Sequence, residues 1–178
     1  MAEIWDIYDM HGNKTGRLHE RGKPVKKEDY FLTVQVWILN GKDEFLISRR
    51  TPDRGHKWHT TGGAAVAGDD SITTALKETK EEIGIVLEQE NGVLFKRIPR
   101  LLRDIGDADY PDEGGYIIDV WLFRQEVDIN KVILQEEEVC GIMWADKNTI
   151  LHMVRDETFV DLDDWYPYFN EFMDFCGV

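Results

Sequence analysis

The sequence predicts an α+β (mixed α/β) fold. Runs with strand character outnumber those with helical character. The two kinds do not alternate strictly, as a doubly wound parallel sheet would require. Long β-branched and aromatic runs, Tyr30 to Leu39 and Tyr116 to Phe123, supply the strongest strand signals. A chain of 178 residues, 42% apolar with eight Phe, six Tyr and six Trp, is large enough to bury a real core. That composition argues against disorder.

The elements follow in order. Ile4 to Tyr8 is rich in strand formers, Gly12-Asn13 supplies a turn, and Thr15 to Leu18 returns, so a hairpin opens the chain. Arg21-Gly22-Lys23-Pro24 breaks the pattern and Lys26 to Asp29 is charged, which sets a boundary near Glu28. A lone hairpin is marginal in water, so this one should pack on the body or on a partner chain. Tyr30 to Leu39 and Phe45 to Arg50 form strands joined across Asn40-Gly41. Thr51 to Lys57 is a polar loop, and Gly62-Gly63 marks a second break. Ser71 to Ile83 is helical. Val93 to Leu102 reads as a strand interrupted by Pro99, and Asp107 to Gly115 as an acidic loop. Tyr116 to Phe123 and Cys140 to Trp144 are strands. Asn148 to Arg155 and Asp163 to Cys176 read as helices, the last carrying a row of aromatic side chains suited to core or dimer packing.

Charge narrows the partners. Lys plus Arg number 21 and Asp plus Glu 35, a net charge of −14. Such a surface repels a phosphate backbone, which excludes nucleic acid as the expected partner. Small phosphorylated molecules remain open where a divalent cation bridges them to carboxylates. No run approaches the roughly 18 apolar residues that span a bilayer. The opening residues Met1 to Asp6 lack the features of a signal peptide, so a cytoplasmic protein without membrane attachment is expected. Cys140 and Cys176 support neither a disulfide framework nor a zinc site and read as reduced thiols.

The helix carries the chemistry. Asp70 or Ser71 caps its N-terminus, and Gly84 ends it in a left-handed position. At about 100° per residue, Ile72, Ala75, Leu76, Thr79 and Ile83 share one arc. Glu78, Glu81 and Glu82 share the neighbouring one. Carboxylates three and four apart repel by roughly 0.2–0.5 kcal/mol per pair. Lys77 and Lys80 offset part of this, and a divalent cation held by oxygen ligands offsets more. On the helix alone, a solvated acidic face is the favoured reading. The flanking Gly62-Gly63 adds the signal, because it allows close backbone approach and offers carbonyl ligands.

Residues Gly63 to Ile85 resemble the Nudix box, G-x5-E-x7-R-E-U-x-E-E-x-G-U, where U is a bulky aliphatic. Gly63, Glu78, Glu81, Glu82, Gly84 and Ile85 match in register. Asp69 replaces the expected Glu, Lys77 the Arg, and Thr79 an aliphatic. Trp5 to Asp9, Gly12 to Arg17 and Phe45 to Arg50 are similar to the Nudix subgroup related to isopentenyl-diphosphate isomerase. The likeness runs from about Glu3 to Trp144.

The resemblance implies a Nudix-type α/β/α sandwich with a mixed β-sheet. Residues 1–28 would form a hairpin extension and 29–178 the Nudix hydrolase domain. It further implies hydrolysis of the diphosphate linkage in a nucleoside diphosphate derivative, with Mg²⁺ or Mn²⁺ activating the water that attacks phosphorus. Carried over by position, Glu78, Glu81, Glu82 and the Gly63 carbonyl would hold metal. Glu78 or Glu81 would act as general base. Lys77 would orient them in place of Arg, paired with Asp69, although Lys lacks the planar fork of Arg. Glu137 and Glu138 are further acid candidates from a late loop, while Asp107, Asp109, Asp112 and Glu113 read as a solvated loop. Arg49, Arg50, Trp58 and Gly62 are the substrate-binding candidates. Only one of the adjacent arginines can face the site, since successive strand residues point to opposite faces.

Two other functions compete. Isomerase activity is disfavoured because Gly62 or Gly63 stands where that chemistry places its cysteine. A non-catalytic nucleotide-binding module is the second alternative. The apolar groups of the hairpin and of the C-terminal segment also suggest a homodimer.

Overall fold

A computed structural model describes residues 2–101 and 114–178. The acidic candidates Asp107, Asp109, Asp112 and Glu113 lie outside the described residues. The chain forms two compact units, each gathering separate stretches of sequence. The first comprises Met1–Gln35, Gly62–Ala75 and Leu94–Trp121, and the second Val36–Thr61, Leu76–Val93 and Leu122–Val178.

In the first unit, β1 (Ile4–Tyr8) pairs antiparallel with β2 (Lys14–Glu20), and β1 meets the start of β3 (Tyr30–Leu39) at Tyr8 and Tyr30. The alternation of β1 sends Trp5 and Ile7 into one cluster with Val25 and Phe31. Tyr8 joins Tyr30, Leu32, Ala65 and Ile117 in another. The aromatic residues of the hairpin are thus covered by their own chain. β6 (Gly92–Leu101) and β7 (Gly115–Arg124) pair, and the Arg97 guanidinium holds the buried Asp119 carboxylate through two 2.7 Å hydrogen bonds. The strand is continuous through Pro99, where the sequence suggested an interruption. β6 pairs with β7 alone among the described strands, and an edge strand tolerates a residue that cannot donate.

In the second unit, Leu39 opposite Phe45 closes the hairpin between β3 and β4 (Phe45–Arg50). The Asn40 side-chain oxygen accepts the Lys42 and Glu44 amides, which fixes the turn. β4 runs antiparallel to both β5 (Trp58–His59) and β8 (Val139–Ala145). The pairing of β3 with β7 differs in direction. The Gly115 amide donates to Asp29 and the Gln125 amide to Leu39, so the two strands advance together and are parallel. Strand pairing is therefore mixed, and with the helices it gives the predicted α+β class.

Helices close the chain: α2 (Lys147–Arg155), α3 (Leu162–Trp165) and α4 (Phe169–Cys176), while α1 (Ser71–Ile83) comes earlier. The single helix expected over Asp163 to Cys176 is two. Pro167 has no amide hydrogen to donate and biases the residue before it away from helical geometry, and Tyr166 accordingly sits at φ −135°, ψ 58°. Tyr166, Tyr168, Phe169 and Phe172 of this segment pack into the core, whereas Trp165 and Phe175 are exposed. Trp37 lies with its ring centroid 5.1 Å from Tyr166 and 5.2 Å from Phe172, and its indole N–H donates to the Tyr168 hydroxyl at 3.1 Å. Among the described residues no helix is long and apolar enough to cross a membrane.

Candidate functional site

The ends of α1 behave as the sequence implied. The Asp70 carboxylate accepts the Thr73 amide at 2.9 Å, and hydrogen bonds from Thr73 hold that carboxyl below its ordinary range. Gly84 has φ +68°, and a side chain there would meet the Ile133 main chain, with its oxygen at 2.7 Å and its nitrogen at 2.8 Å. The glycine is required both for the left-handed turn and for this close approach.

Burial separates the three glutamates. Thr74, Ala75, Thr79 and Ile83 are buried, and Glu82 joins them at 6% exposure. Glu78 is half-buried, while Glu81 and Lys77 are exposed. The carboxylate arc anticipated from the helical wheel therefore runs from core to solvent. The Glu82 Oε2 is enclosed by protein and accepts no hydrogen bond from the described residues. The carboxylate as a whole does interact with its surroundings.

Several elements of the second unit gather around Glu82. Its main-chain oxygen accepts the Gln135 amide at 2.9 Å, which ties the loop before β8 to the end of the helix. Tyr166 is buried, and its hydroxyl accepts the Thr60 amide at 2.9 Å and lies 3.2 Å from the Thr60 hydroxyl. Burial pushes this phenol up to about 12, the Thr60 hydrogen bonds and the Arg50 charge oppose the shift, and Glu82 adds to it. The Arg50 guanidinium stands 5.3 Å from the Trp165 ring centre. His59 pairs across the strands with Ser48, its Nε2 lying 3.3 Å from the hydroxyl, and its ring centroid is 6.5 Å from that of Trp165. Burial, helped by the Arg50 charge, lowers the His59 pKa to about 3, so the imidazole is neutral at physiological pH.

The adjacent arginines diverge. Arg49 pairs across β4 and β5 with Trp58, stands 5.8 Å from its ring centre, and donates to the His56 carbonyl at 3.2 Å. Arg50 points to the other face, with Ser48 and His59. Of the pair, Arg50 is the one whose charge, like that of Glu82, acts on the Tyr166 phenol. Trp58 goes with Arg49, packed 3.5 Å from where a side chain on Gly141 would lie.

The remaining candidates are placed as follows. The Glu138 carboxylate takes an ion pair from Arg54 at 3.0 Å, and its main-chain oxygen accepts the Thr51 amide. Glu137 is exposed. Gly62, Gly63 and Asp69 belong to the first unit. There a side chain on Gly62 would collide with the Val34 carbonyl oxygen, so this glycine serves a close approach of the chain to its own β3. The Gly63 carbonyl accepts the Val34 amide at 2.9 Å and keeps a second lone pair.

Sequence reasoning placed His59 with Arg54, His56 and Lys57 in a phosphate- or base-clamping loop, whereas it lies buried in β5. It missed Thr60 and Tyr166, since a threonine before a glycine turn and one tyrosine in an aromatic row carry no signal that distinguishes them from core residues. Among the described residues no three His, Cys, Asp or Glu side chains stand close enough to form a ready-made metal site. The donor types do suit a hard divalent cation, since Glu78, Glu81 and Glu82 supply oxygen ligands from one helix.

Known proteins agree with this frame. Residues 29–169 match the NUDIX domain model. The chain is 26% identical over 171 residues to an uncharacterised Nudix hydrolase of Listeria innocua, a match covering 94% of this chain and 90% of that protein. The crystal structure of DR0079 from Deinococcus radiodurans aligns with a TM-score of 0.64 and 16% identity, covering 88% of this chain and 91% of that one. The NUDIX domain of Shewanella oneidensis NrtR, solved with ADP ribose, aligns with a TM-score of 0.54 and 18% identity over 69% of this chain and 77% of that one. At such identities these two structures speak for the fold. With the domain match spanning most of its length, the chain belongs to the NUDIX family.

Proposed function

We propose that the protein is a metal-dependent hydrolase that cleaves the diphosphate linkage of a nucleoside diphosphate derivative. The observation that carries this reading is the buried Glu82 carboxylate, on the helix face that also bears Glu78 and Glu81. A carboxylate held in a buried position on an acidic helix face is favoured by a nearby cation. A divalent cation, Mg²⁺ or Mn²⁺, would be held on this face by Glu82 with Glu78 and Glu81. When bound, such a cation neutralises phosphate charge and acidifies coordinated water.

The chain's own residues do the rest. Glu78, half-buried, and Glu81, exposed, lie about one turn or less from Glu82 on the same helix, and either can take the proton from the attacking water. Arg50 meets phosphate oxygens through its fork of donors. Its contact with Trp165 and its proximity to Tyr166 hold it on the Glu82 side of β4. Lys77 and Asp69 keep the charge pattern of the box, and Glu137 and Glu138 stand in a loop anchored to Thr51. Arg49, Trp58 and Gly62 act in support, through the loop and turn that they fix. ADP ribose, the ligand of the Shewanella domain, has the chemistry expected of the substrate class.

The test is release of phosphate-containing products from a panel of nucleoside diphosphate sugars, dinucleotides and nucleoside triphosphates. It is run with Mg²⁺, with Mn²⁺ and with EDTA, beside Glu82→Gln. Cleavage that needs the cation and falls by at least about 100-fold in the variant is expected, the upper range for altered metal surroundings. Cleavage indifferent to both EDTA and Glu82→Gln would sink the proposal. Nucleotide binding without any cleavage would favour a binding module instead.

A further inference from the structure

Trp165 is a large aromatic residue left 39% exposed, although the residue after it is among the most deeply buried in the protein. α3, which carries it, is fixed at both ends. Its N-terminus is capped by the Asp161 carboxylate, which accepts the Asp164 amide at 3.0 Å. Its C-terminus is pinned by Tyr166, whose hydroxyl is bound by Thr60. The indole is therefore presented rather than loosely attached. It stands 5.3 Å from the Arg50 guanidinium, at 6.5 Å from the His59 ring and at 6.5 Å from Tyr166. Arg50 is the arginine on the Glu82 side, so the exposed ring lies next to the charge that would meet a phosphate.

An exposed, rigid aromatic plane beside a phosphate-binding cation is the arrangement on which a nucleobase stacks, and stacking tolerates any base. A guanidinium against the same ring system adds a cation–π contact that holds the platform. The other tryptophan near the site does not offer this. Trp58 pairs with Arg49 on the opposite face of β4 and packs against Gly141. We propose that Trp165 is the specificity-determining residue that stacks the base of the substrate, with Arg50 holding the adjoining phosphate. The inference rests on the reading of the site as one for nucleoside diphosphate derivatives, and selects a nucleoside over a base-free diphosphate.

The experiment compares AMP with ribose 5-phosphate, which share sugar and phosphate and differ by the base. Neither contains the anhydride that the enzyme would cleave. Affinities are measured by calorimetry with Mg²⁺ present, alongside indole fluorescence, for the wild type, Trp165→Ala and Trp165→Phe. The wild type should prefer AMP by about ten-fold or more. Trp165→Ala should lose that preference while still binding ribose 5-phosphate as before. Trp165→Phe should restore most of it but lose the AMP-dependent fluorescence change. Equal affinity of the wild type for the two probes, including no binding of either, overturns the proposal. So does an AMP preference kept by Trp165→Ala. The hydrolysis panel separates the two readings. No cleavage with an intact, Trp165-dependent AMP preference removes the hydrolase reading and leaves the platform. Cation-dependent cleavage without that preference removes the platform and leaves the hydrolase.

Discussion

His59 offers a prediction whose sign and size both follow from the structure. The imidazole is buried beside Arg50, and its pKa falls from the ordinary 6.5 to about 3. The folded state therefore binds no proton here until the pH is very low, whereas the unfolded chain binds one below about 6.5. Stability contributed by this depressed pKa is complete above 6.5 and is lost as the pH falls from 6.5 toward 3. At 1.36 kcal/mol for each unit, lowering the pH from 7 to 4.5 removes roughly 2–3 kcal/mol through His59. Carboxylates such as Asp6 and Asp70, whose pKa values are also held down, lose stability in the same direction, so the total fall is not diagnostic. His59→Gln isolates the contribution, since Gln can still reach Ser48 and does not titrate. Urea unfolding of both proteins at pH 7 and at pH 4.5 gives four stabilities. The variant is expected to be less stable at pH 7, yet its loss between the two pH values should be smaller than the wild type's by roughly 2–3 kcal/mol. Equal losses in the two proteins would refute the reasoning, because they would mean that His59 titrates alike in the folded and unfolded chains.

Three further perturbations test the frame around the site. Tyr166→Phe keeps the buried ring but leaves the Thr60 amide without its acceptor; a loss of about 1–3 kcal/mol is expected from chemical denaturation. Gly84→Ala places a side chain at φ +68° against the Ile133 main chain, and should lower stability by roughly 2 kcal/mol, read as a drop in Tm. Arg97→Ala leaves the fully buried Asp119 carboxylate without its bidentate partner. Because Arg97 is itself 42% exposed, the cost should fall to roughly 2–3 kcal/mol, below that of a wholly buried pair, and urea titration measures it.

What could be read from the sequence was what depends on local pattern. The helix from Ser71 to Ile83 was legible to the residue, because its cap, its apolar stripe and its terminal glycine agree. The strands from Tyr30 and from Phe45 were legible for the same reason. Pro99 and Pro167 misled in opposite directions. Proline breaks a helix by what it does to its own turn, and so Pro167 acts wherever it stands. Its effect on a strand depends on whether a neighbour needs its amide, and only the sheet order shows that β6 is at an edge among the described strands. The gradient of burial across Glu78, Glu81 and Glu82 was equally hidden. A helical wheel fixes angles between side chains, but the neighbours that cover one of them come from the loop at Gln135 and from Tyr166, distant in sequence.

The two arginines at the end of β4 illustrate how little separates support from chemistry. Alternation assigns neighbouring residues to opposite faces, so the pair Arg49-Arg50 must be divided whatever the rest of the protein does. Arg49 spends its donor on the His56 carbonyl and stacks against Trp58, which closes the loop from Thr51 to Lys57. Arg50 faces His59, Trp165 and Tyr166, where its charge already depresses the His59 pKa and opposes the rise of the Tyr166 phenol. The strand register then passes through an irregularity between these two residues, where β8 opposes Arg49 with Gly141 and Arg50 with Val139. The intervening Cys140 is the extra residue of a bulge, and its thiol donates to the Arg50 carbonyl at 3.2 Å. Bulges turn side chains at the rims of sheets. Here the bulge falls at Arg50, the last residue of β4, whose guanidinium stands 5.3 Å from the Trp165 ring centre.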